Sequence, residues 1–366
     1  MNQNEDKMFF VAFNYLINFT LERYKRLIKK FSTLEKAFYA NSRDLLEAGL
    51  KREVVFDFIV ARKSFNFEQT FKKIETENIN ICLWGDVDYP ELLANIYSPP
   101  PIFYYRGSLD INWNSSLSVV GSRKFTPYGE RIVREFVSVL PQVGISIISG
   151  LAIGIDSLSH QESLENNGKT IAVLGSGLDY CSIYPRSNRV LAQEIIEKSG
   201  LVLSEFPLGT EPISFNFPKR NRIIAGLSRA TLVVEASKKS GSLITAKYAL
   251  DEGREVFTFP GSIYDDNFSG NNNLIKSGAG VILFPEEILD FFNILPLPGN
   301  RPSKVVYKGE NELEEKVLGI LGENTSHIDE LLQILPFNIK EISSVLAVLE
   351  IKGVIVDIGG KNYKIA

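Results

Sequence analysis

Residues 117–177 read LSVVGSRKFTPYGERIVREFVSVLPQVGISIISGLAIGIDSLSHQESLENNGKTIAVLGSG. Three short apolar runs, Leu117–Val120, Ile145–Ile148 and Thr170–Leu174, are separated by helical spacing at 127–140 and 156–166. A strand that is apolar at nearly every position is covered on both faces, and strands joined through helices run parallel. The stretch predicts strand–helix–strand–helix–strand, the opening of a Rossmann-like, doubly wound α/β sheet.

The alternation continues outward. Ile81–Trp84 and Ile102–Tyr105 lie upstream; Leu201–Leu203, Thr231–Val234, Val256–Phe259 and Val281–Phe284 lie downstream. Helical patterns fill 187–198, 217–227, 242–252 and 285–292, so a mostly parallel α/β domain is expected over 76–292. Residues 1–75 carry helical patterns only, with Leu34, Ala37 and Phe38, then Leu45, Leu46 and Leu50, at helical spacing. Ser32 and Asn41 or Ser42 are the expected caps. Gly49 between the patterns resembles a helix-hairpin-helix turn, and a SAM-like or plain helical bundle packed on its neighbour is expected. Pro296, Pro298, Gly299 and Pro302 mark a linker over 293–310. Helices at 311–321, 327–335 and 338–350 then precede a hairpin of Val354–Asp357 and Tyr363–Ile365 turning at Gly359-Gly360, the order of a winged helix over 311–366. Its third helix begins Ile339-Lys340-Glu341, and Glu310, Glu312, Glu314, Glu315, Asp329 and Glu330 precede it. A protein-contact or regulatory role is therefore expected of this tail rather than insertion into a groove.

A length of 366 residues suggests two or three domains, and 44% hydrophobic residues exclude wholesale disorder. Cys82 and Cys181 stand far apart without a CxxC partner, as expected of reduced, buried thiols in a cytosolic protein. With His160 and His327 the only histidines, no histidine-rich metal centre is available, and neither metal nor cofactor is expected. The chain starts Met-Asn-Gln-Asn-Glu-Asp, acidic where a signal peptide is basic. Met8 to Phe19, interrupted by Asn14 and Asn18, reads as an amphipathic helix. No run approaches the ~20 apolar residues of a membrane span, so a cytoplasmic protein without a membrane partner is expected.

The net charge of −4 argues against nucleic acid only if charge is evenly spread. From Phe217 to Lys247 the basic residues are Lys219, Arg220, Arg222, Arg229, Lys238, Lys239 and Lys247, against a single acid, Glu235. In a doubly wound sheet ligands sit at the carboxyl ends of strands, where loops lead into helix N-termini and glycine lets a phosphate approach. Several strands end that way. Val120 leads into Gly121-Ser122-Arg123, Ile148 into Ser149-Gly150, and Leu174 into Gly175-Ser176-Gly177. Val234 is followed by Ser240-Gly241-Ser242, opening a helix through Thr245, and Phe259 runs into Pro260-Gly261-Ser262. One such loop suits a nucleotide; a row of them along one sheet edge suits a polymer of phosphates, although tight turns also need glycine for structural reasons.

The segment Phe217-Pro218-Lys219-Arg220-Asn221-Arg222 is the strongest single element. Proline fits the first turn of a helix, whereas cations at a helix start oppose the dipole unless an anion or paired acids lie nearby. Glu205 and Glu211 are the candidate acids. Arg220 and Arg222, two apart on a helix, point roughly 200° from each other, so one is expected to face a ligand and the other to anchor the loop. Phe206, Phe215, Phe217, Tyr128 and Tyr184 lie near these loops and are candidates for base stacking, with most expected in the core. Gly168-Lys169-Thr170 mimics the end of a P-loop, but its first glycine would be Ser163 and it precedes a strand. Gly175-Ser-Gly177 lacks the third glycine of a dinucleotide fingerprint, since Tyr180 stands there.

The motifs VVGSRKFTPYG, ISGLAIGIDSLSH, TIAVLGSGLDYCSIYP, SEFPLGTEP, FPKRNRIIAGLS, SGSLITAKYALDEGREVFTFPGS and GNNNLIKSGA, running in order from Val119 to Gly280, are similar to the DNA-processing protein A (Smf) family of bacterial natural transformation. The resemblance implies a non-catalytic protein that binds single-stranded DNA and helps recombinase A load onto strands covered by single-strand-binding protein. Homodimers of the Rossmann-like domain are also implied. It carries over Arg123 of the GSR motif; Lys219, Arg220, Asn221 and Arg222 of the FPKRNR segment; and the helix start Ser240 to Thr245. Arg186, after Tyr184-Pro185, is a further candidate. With the strand-end and basic residues, the candidate DNA-binding set is Gly121, Ser122, Arg123, Gly150, Gly175, Arg186, Phe217, Lys219, Arg220, Asn221, Arg222, Ser240, Gly241, Ser242, Thr245 and Lys247. Asn271 stands where many relatives have threonine.

The main rival is an enzyme, since phosphoribohydrolases acting on nucleoside monophosphates share the fold and carry PGGxGTxxE. Aligning Thr245 with that threonine puts Leu243-Ile244 where glycine is required and Tyr248 where the glutamate belongs. A second rival is a nucleotide sensor signalling through the tail. A third is a structural partner of recombination proteins that touches no DNA.

Overall fold

Each of the nine runs expected as strands overlaps one, although Val281–Phe284 does so only at Val281. The strands are β1 (Asn80–Leu83), β2 (Ile102–Gly107), β3 (Ser116–Val120), β4 (Ser146–Ser149), β5 (Thr170–Val173), β6 (Leu201–Ser204), β7 (Ala230–Val233), β8 (Glu255–Thr258) and β9 (Gly280–Val281). The structure, a computed structural model, describes residues 3–294, 309, 311–321 and 325–365. Apart from 293, 294 and 309, the expected linker lies outside the described residues, as does Glu310. Two compact units are present, Met1–Leu297 and Pro298–Ala366.

In the first unit the strand order is β1-β2-β6-β5-β4-β3-β7-β8-β9. The pairs from β6 to β9 are parallel, while β2 runs antiparallel to β6 and β1 antiparallel to β2. All residues of β3 to β7 are buried, which is why these strands read as unbroken apolar runs. Buried hydroxyls are satisfied locally: Ser118 Oγ donates to the Ile224 carbonyl at 2.8 Å and docks a crossing helix on the sheet.

Among the described residues six helices precede the sheet: α1 (Gln3–Leu16), α2 (Leu21–Phe31), α3 (Leu34–Tyr39), α4 (Ser42–Glu47), α5 (Arg52–Ala61) and α6 (Phe67–Thr76). Thr20, Thr33, Asn41 and Asn66 cap four of them through side-chain oxygens. Ser32, expected as a cap at a helix start, instead ends α2 with φ 67°, so the hydroxyl at the next start comes from Thr33. The expectation of an amphipathic first helix is also corrected: Phe9, Phe10, Val11, Ala12 and Phe13 are all buried. The reason is position, since α1 lies between its sister helices and the sheet, sharing one core with Ile102, Tyr104 and Val202. Asn14, which broke the apolar run, accepts from the Tyr104 hydroxyl (3.0 Å) and donates to the Glu205 carbonyl (3.3 Å).

The crossing helices are α7 (Glu91–Ala94), α8 (Pro127–Ile132), α9 (Ile155–Glu165), α10 (Arg189–Glu197), α11 (Asn216–Gly226), α12 (Ser242–Asp251), α13 (Ser269–Lys276) and α14 (Pro285–Phe291). Of these, α7 and α13 were not foreseen, and α8 continues to Val137 in wider turns. Alternate strand residues feed two opposite faces. Leu117, Val119 and Ile147 join one core with α9 and α14, while Val120, Ile148 and Val233 join another with α11 and α12. Cys82 is buried, and burial pushes its thiol up to about 12. Cys181 is exposed, contrary to expectation, because its loop runs over the surface after β5.

The second unit holds α15 (Glu312–Leu321), β10 (Ser326–His327), α16 (Ile328–Ile334), α17 (Ile339–Ile351), β11 (Ile355–Asp357) and β12 (Asn362–Ile365). The hairpin β11–β12 forms as expected, with positive φ at Gly359 and Gly360, and the unforeseen β10 extends it into an antiparallel sheet ordered β10-β12-β11. Val317, Leu331, Ile342, Leu346 and Ile355 form a core of its own.

Among the described residues no helix is long and apolar enough to cross a membrane.

Candidate functional site

The chain leaves β3 for β4 on one side and returns through β7 on the other, so the strand order reverses between β3 and β7. Loops diverge at such a point, and a crevice opens beyond the carboxyl ends of the strands. Here it is a cleft of about 760 Å³. Its walls are the loop after β3, the start of α11 and the start of α12.

Ten of the sixteen candidate residues line it: Gly121, Ser122, Arg123, Phe217, Arg220, Asn221, Ser240, Gly241, Ser242 and Thr245. The main-chain N–H groups of Gly121, Ser122 and Arg123 make no backbone hydrogen bond among the described residues, and Arg123 is exposed. Its guanidinium lies 5.8 Å from the Phe217 ring centre, and the Tyr184 ring lies 5.8 Å from the same ring. Phe217 is half-buried, whereas Phe215 is 75% exposed and Phe206 is buried.

The FPKRNR segment divides its cations sharply. Arg220 is buried at the cleft floor, with Nη1 donating to the carbonyls of Gly150 (2.7 Å) and Val173. Burial pushes its pKa down to about 10, against the pull of Asp156. Burial also raises the Asp156 carboxyl, while Arg220 and the Gly150 N–H, donating at 3.1 Å, hold it down. Asn221 accepts from Arg220 Nε at 3.1 Å and donates to the Gly241 carbonyl at 3.3 Å, joining α11 to the start of α12. Arg222 instead clasps Glu205 with two bonds of 3.0 and 2.6 Å, and Lys219 lies 3.7 Å from the same carboxylate. Arg220 thus lies at the cleft floor, while Arg222, seventh of the eleven residues of α11, anchors the helix on Glu205.

Two glycines act differently from the phosphate cradles expected of them. A β-carbon at Gly150 would stand 2.7 Å from both Arg220 Nη2 and Asp156 Oδ2, and one at Gly175 would stand 3.0 Å from the Phe217 ring. Each makes room for a side chain of the cleft. Arg186 and Lys247 are exposed but do not line the cleft. Asn271 is fully buried: it accepts from the Ala236 N–H at 2.7 Å and donates to Thr258 Oγ1 at 2.8 Å, tying β7 to β8. Sequence reasoning missed Lys124, an exposed cation on the cleft wall next to the GSR arginine, and Asp156 as the partner of Arg220. Adjacency signalled the first; nothing local signalled the second.

A sequence model described as DNA recombination-mediator protein A matches residues 80–293, the strands and loops that build this cleft. The chain belongs to that family. A second, described as DprA winged helix domain, matches residues 302–361. Among relatives, Protein Smf of Synechocystis sp. is 36% identical and the match covers 99% of each chain. Protein Smf of Escherichia coli is 40% identical over 74% of this chain and 73% of the relative. The solved DNA processing protein A of Streptococcus pneumoniae superposes with a TM-score of 0.67 at 32% identity, covering 79% of this chain and 98% of that one. A structure of DNA processing protein A from Helicobacter pylori, concerned with its single-stranded DNA binding mode, gives 0.51 at 28% identity over 59% of this chain and 94% of that one.

Proposed function

We propose that this chain binds single-stranded DNA in the cleft between β3 and β7, and that it acts by holding the strand rather than by cleaving it. The observation that carries the reading is the concentration of an exposed Arg123, unused amides at 121–123 and a half-buried Phe217 at one switch point. Amides and guanidinium suit phosphates, and an aromatic ring beside them suits a base. The single-stranded DNA binding mode described for the Helicobacter pylori relative supports it. In the finer reading the protein works in the cytoplasm as a homodimer, protects incoming strands, and helps recombinase A load onto strands covered by single-strand-binding protein during transformation.

The test is a gel-shift comparison of single-stranded and duplex DNA across salt concentrations. Contact with ~4 phosphates of a single strand gives a log–log salt slope near −3, whereas a mononucleotide site gives a much shallower one. Steady base release from nucleoside monophosphates would favour the phosphoribohydrolase reading instead.

A further inference from the structure

We propose that a single strand held in the cleft continues along the carboxyl rim of the sheet to helix α2, where Arg23, Lys25, Lys29 and Trp84 form a second contact zone; this rests on the reading that the cleft binds single-stranded DNA.

Topology sets the path. Because β1 is antiparallel to β2 and β2 antiparallel to β6, β1 runs in the same direction as the parallel strands. Trp84, the residue after β1, therefore emerges on the same rim as Gly121 and Gly150. From β3 to β1 the order passes β4, β5, β6 and β2, five spacings or about 24 Å. That is room for several nucleotides beyond those in the cleft.

A junction joins the two zones. Pro218 lines the cleft, and the next residue, Lys219, donates from Nζ to Asn18 Oδ1 at 3.2 Å. Arg23 donates to the carbonyl of the same Asn18. Two cations, one on α11 and one on α2, thus meet at one asparagine just beyond the end of β6.

The composition of α2 is lopsided. Its sequence LERYKRLIKKF holds Arg23, Lys25, Arg26, Lys29 and Lys30 against one acid, Glu22, and it buries only Leu21 and Leu27 fully. Arg26 is answered by Glu22 and Lys30 by Glu47. Among the described residues, Lys25 and Lys29 have no carboxylate within 4.0 Å. They stand four residues apart on one helix face, where like charges are mildly destabilising, an arrangement phosphates would relieve. Lys25 Nζ lies 4.9 Å above the ring of Trp84, which is half-buried. A part-exposed ring can stack a base once the lysine swings off its face to meet the adjoining phosphate. Asp86 beyond it is turned back onto the Leu83 N–H at 2.9 Å.

The test compares oligothymidylates of about 5 and about 20 nucleotides, one near the lower end of usual site sizes of about 4–16 and one beyond the upper end. With the chain carrying Lys25→Glu and Lys29→Glu, affinity for the long oligomer should fall at least tenfold, while the short one binds as before. Replacing both by alanine should make the long oligomer's salt slope shallower by about 1.4, two phosphates' worth. In a Trp113→Phe chain, Trp84 is the remaining tryptophan, and the long oligomer alone should quench it. Unchanged binding of the long oligomer by the double variants, equal losses for both lengths, or an unquenched Trp84 in a DNA-bound chain would overturn the extension and leave the cleft standing. Failure of the parent chain to bind either oligomer would overturn both.

Discussion

Arg220 lies against Gly150: its Nη1 donates to the Gly150 carbonyl at 2.7 Å, and no β-carbon fits between residue 150 and the guanidinium. Glycine there holds the floor of the cleft open for an arginine that arrives from 70 residues away. Gly150→Ala should push Arg220 and Asp156 out of place. Because both contacts are side-chain ends, the cost should fall on the site more than the fold. DNA affinity should drop about tenfold with a stability loss near 1 kcal/mol, at the low end for overpacking, as read by titration and urea unfolding.

The two cleft arginines should separate binding from stability. Arg123 is exposed, so Arg123→Ala should weaken binding to all sequences alike while the unfolding midpoint stays put. Arg220→Ala strands the Gly150 and Val173 carbonyls and takes the positive charge from beside buried Asp156, so it should also cost about 3 kcal/mol. Denaturation and salt-dependent titration on both variants check this; a sequence-selective loss with Arg123→Ala would count against phosphate contact.

Glu205 is the counter-charge of Arg222 and Lys219 on α11. Its carboxylate is buried against Arg222 and Lys219, and Glu205→Gln leaves the mostly buried Arg222 with a neutral amide oxygen in place of its counter-charge. A destabilisation of about 3 kcal/mol is expected. Urea unfolding measures it, and a neutral outcome would mean the pair is solvated.

His160 should shape the acid limb of stability. Burial holds its pKa down to about 3, against 6.5 for the ordinary side chain. Between those values the unfolded chain takes up a proton that the folded chain refuses, so stability is full above about 6.5 and is lost as pH falls toward 3. Asp156, raised by burial, acts oppositely: the folded chain holds the extra proton to a higher pH than the unfolded chain does, so its contribution falls as pH rises from 3.8. His160→Leu should flatten the acid limb. Thr170 loses its Nδ1 contact at 2.6 Å but still donates to the Ile147 carbonyl at 2.9 Å. Urea midpoints from about pH 7 to pH 4 test it, and an unchanged slope would place the proton uptake elsewhere.

The nine strands, the winged tail and the strand-end loops were legible in residue order because each depends on periodicity within a few neighbours: Leu117–Val120 must be covered on both faces, and Gly359-Gly360 must turn. Which cations remain free was not legible. Lys219, Arg220 and Arg222 are near neighbours in the chain, yet one joins Asn18, one the Gly150 carbonyl and one Glu205. The same holds for α1, whose far side met the sheet, and for Gly175, whose space went to Phe217. Local pattern decides what an element is, through sterics and apolar spacing. Its partners are decided by contacts between residues far apart in sequence, and only the packed chain brings those together.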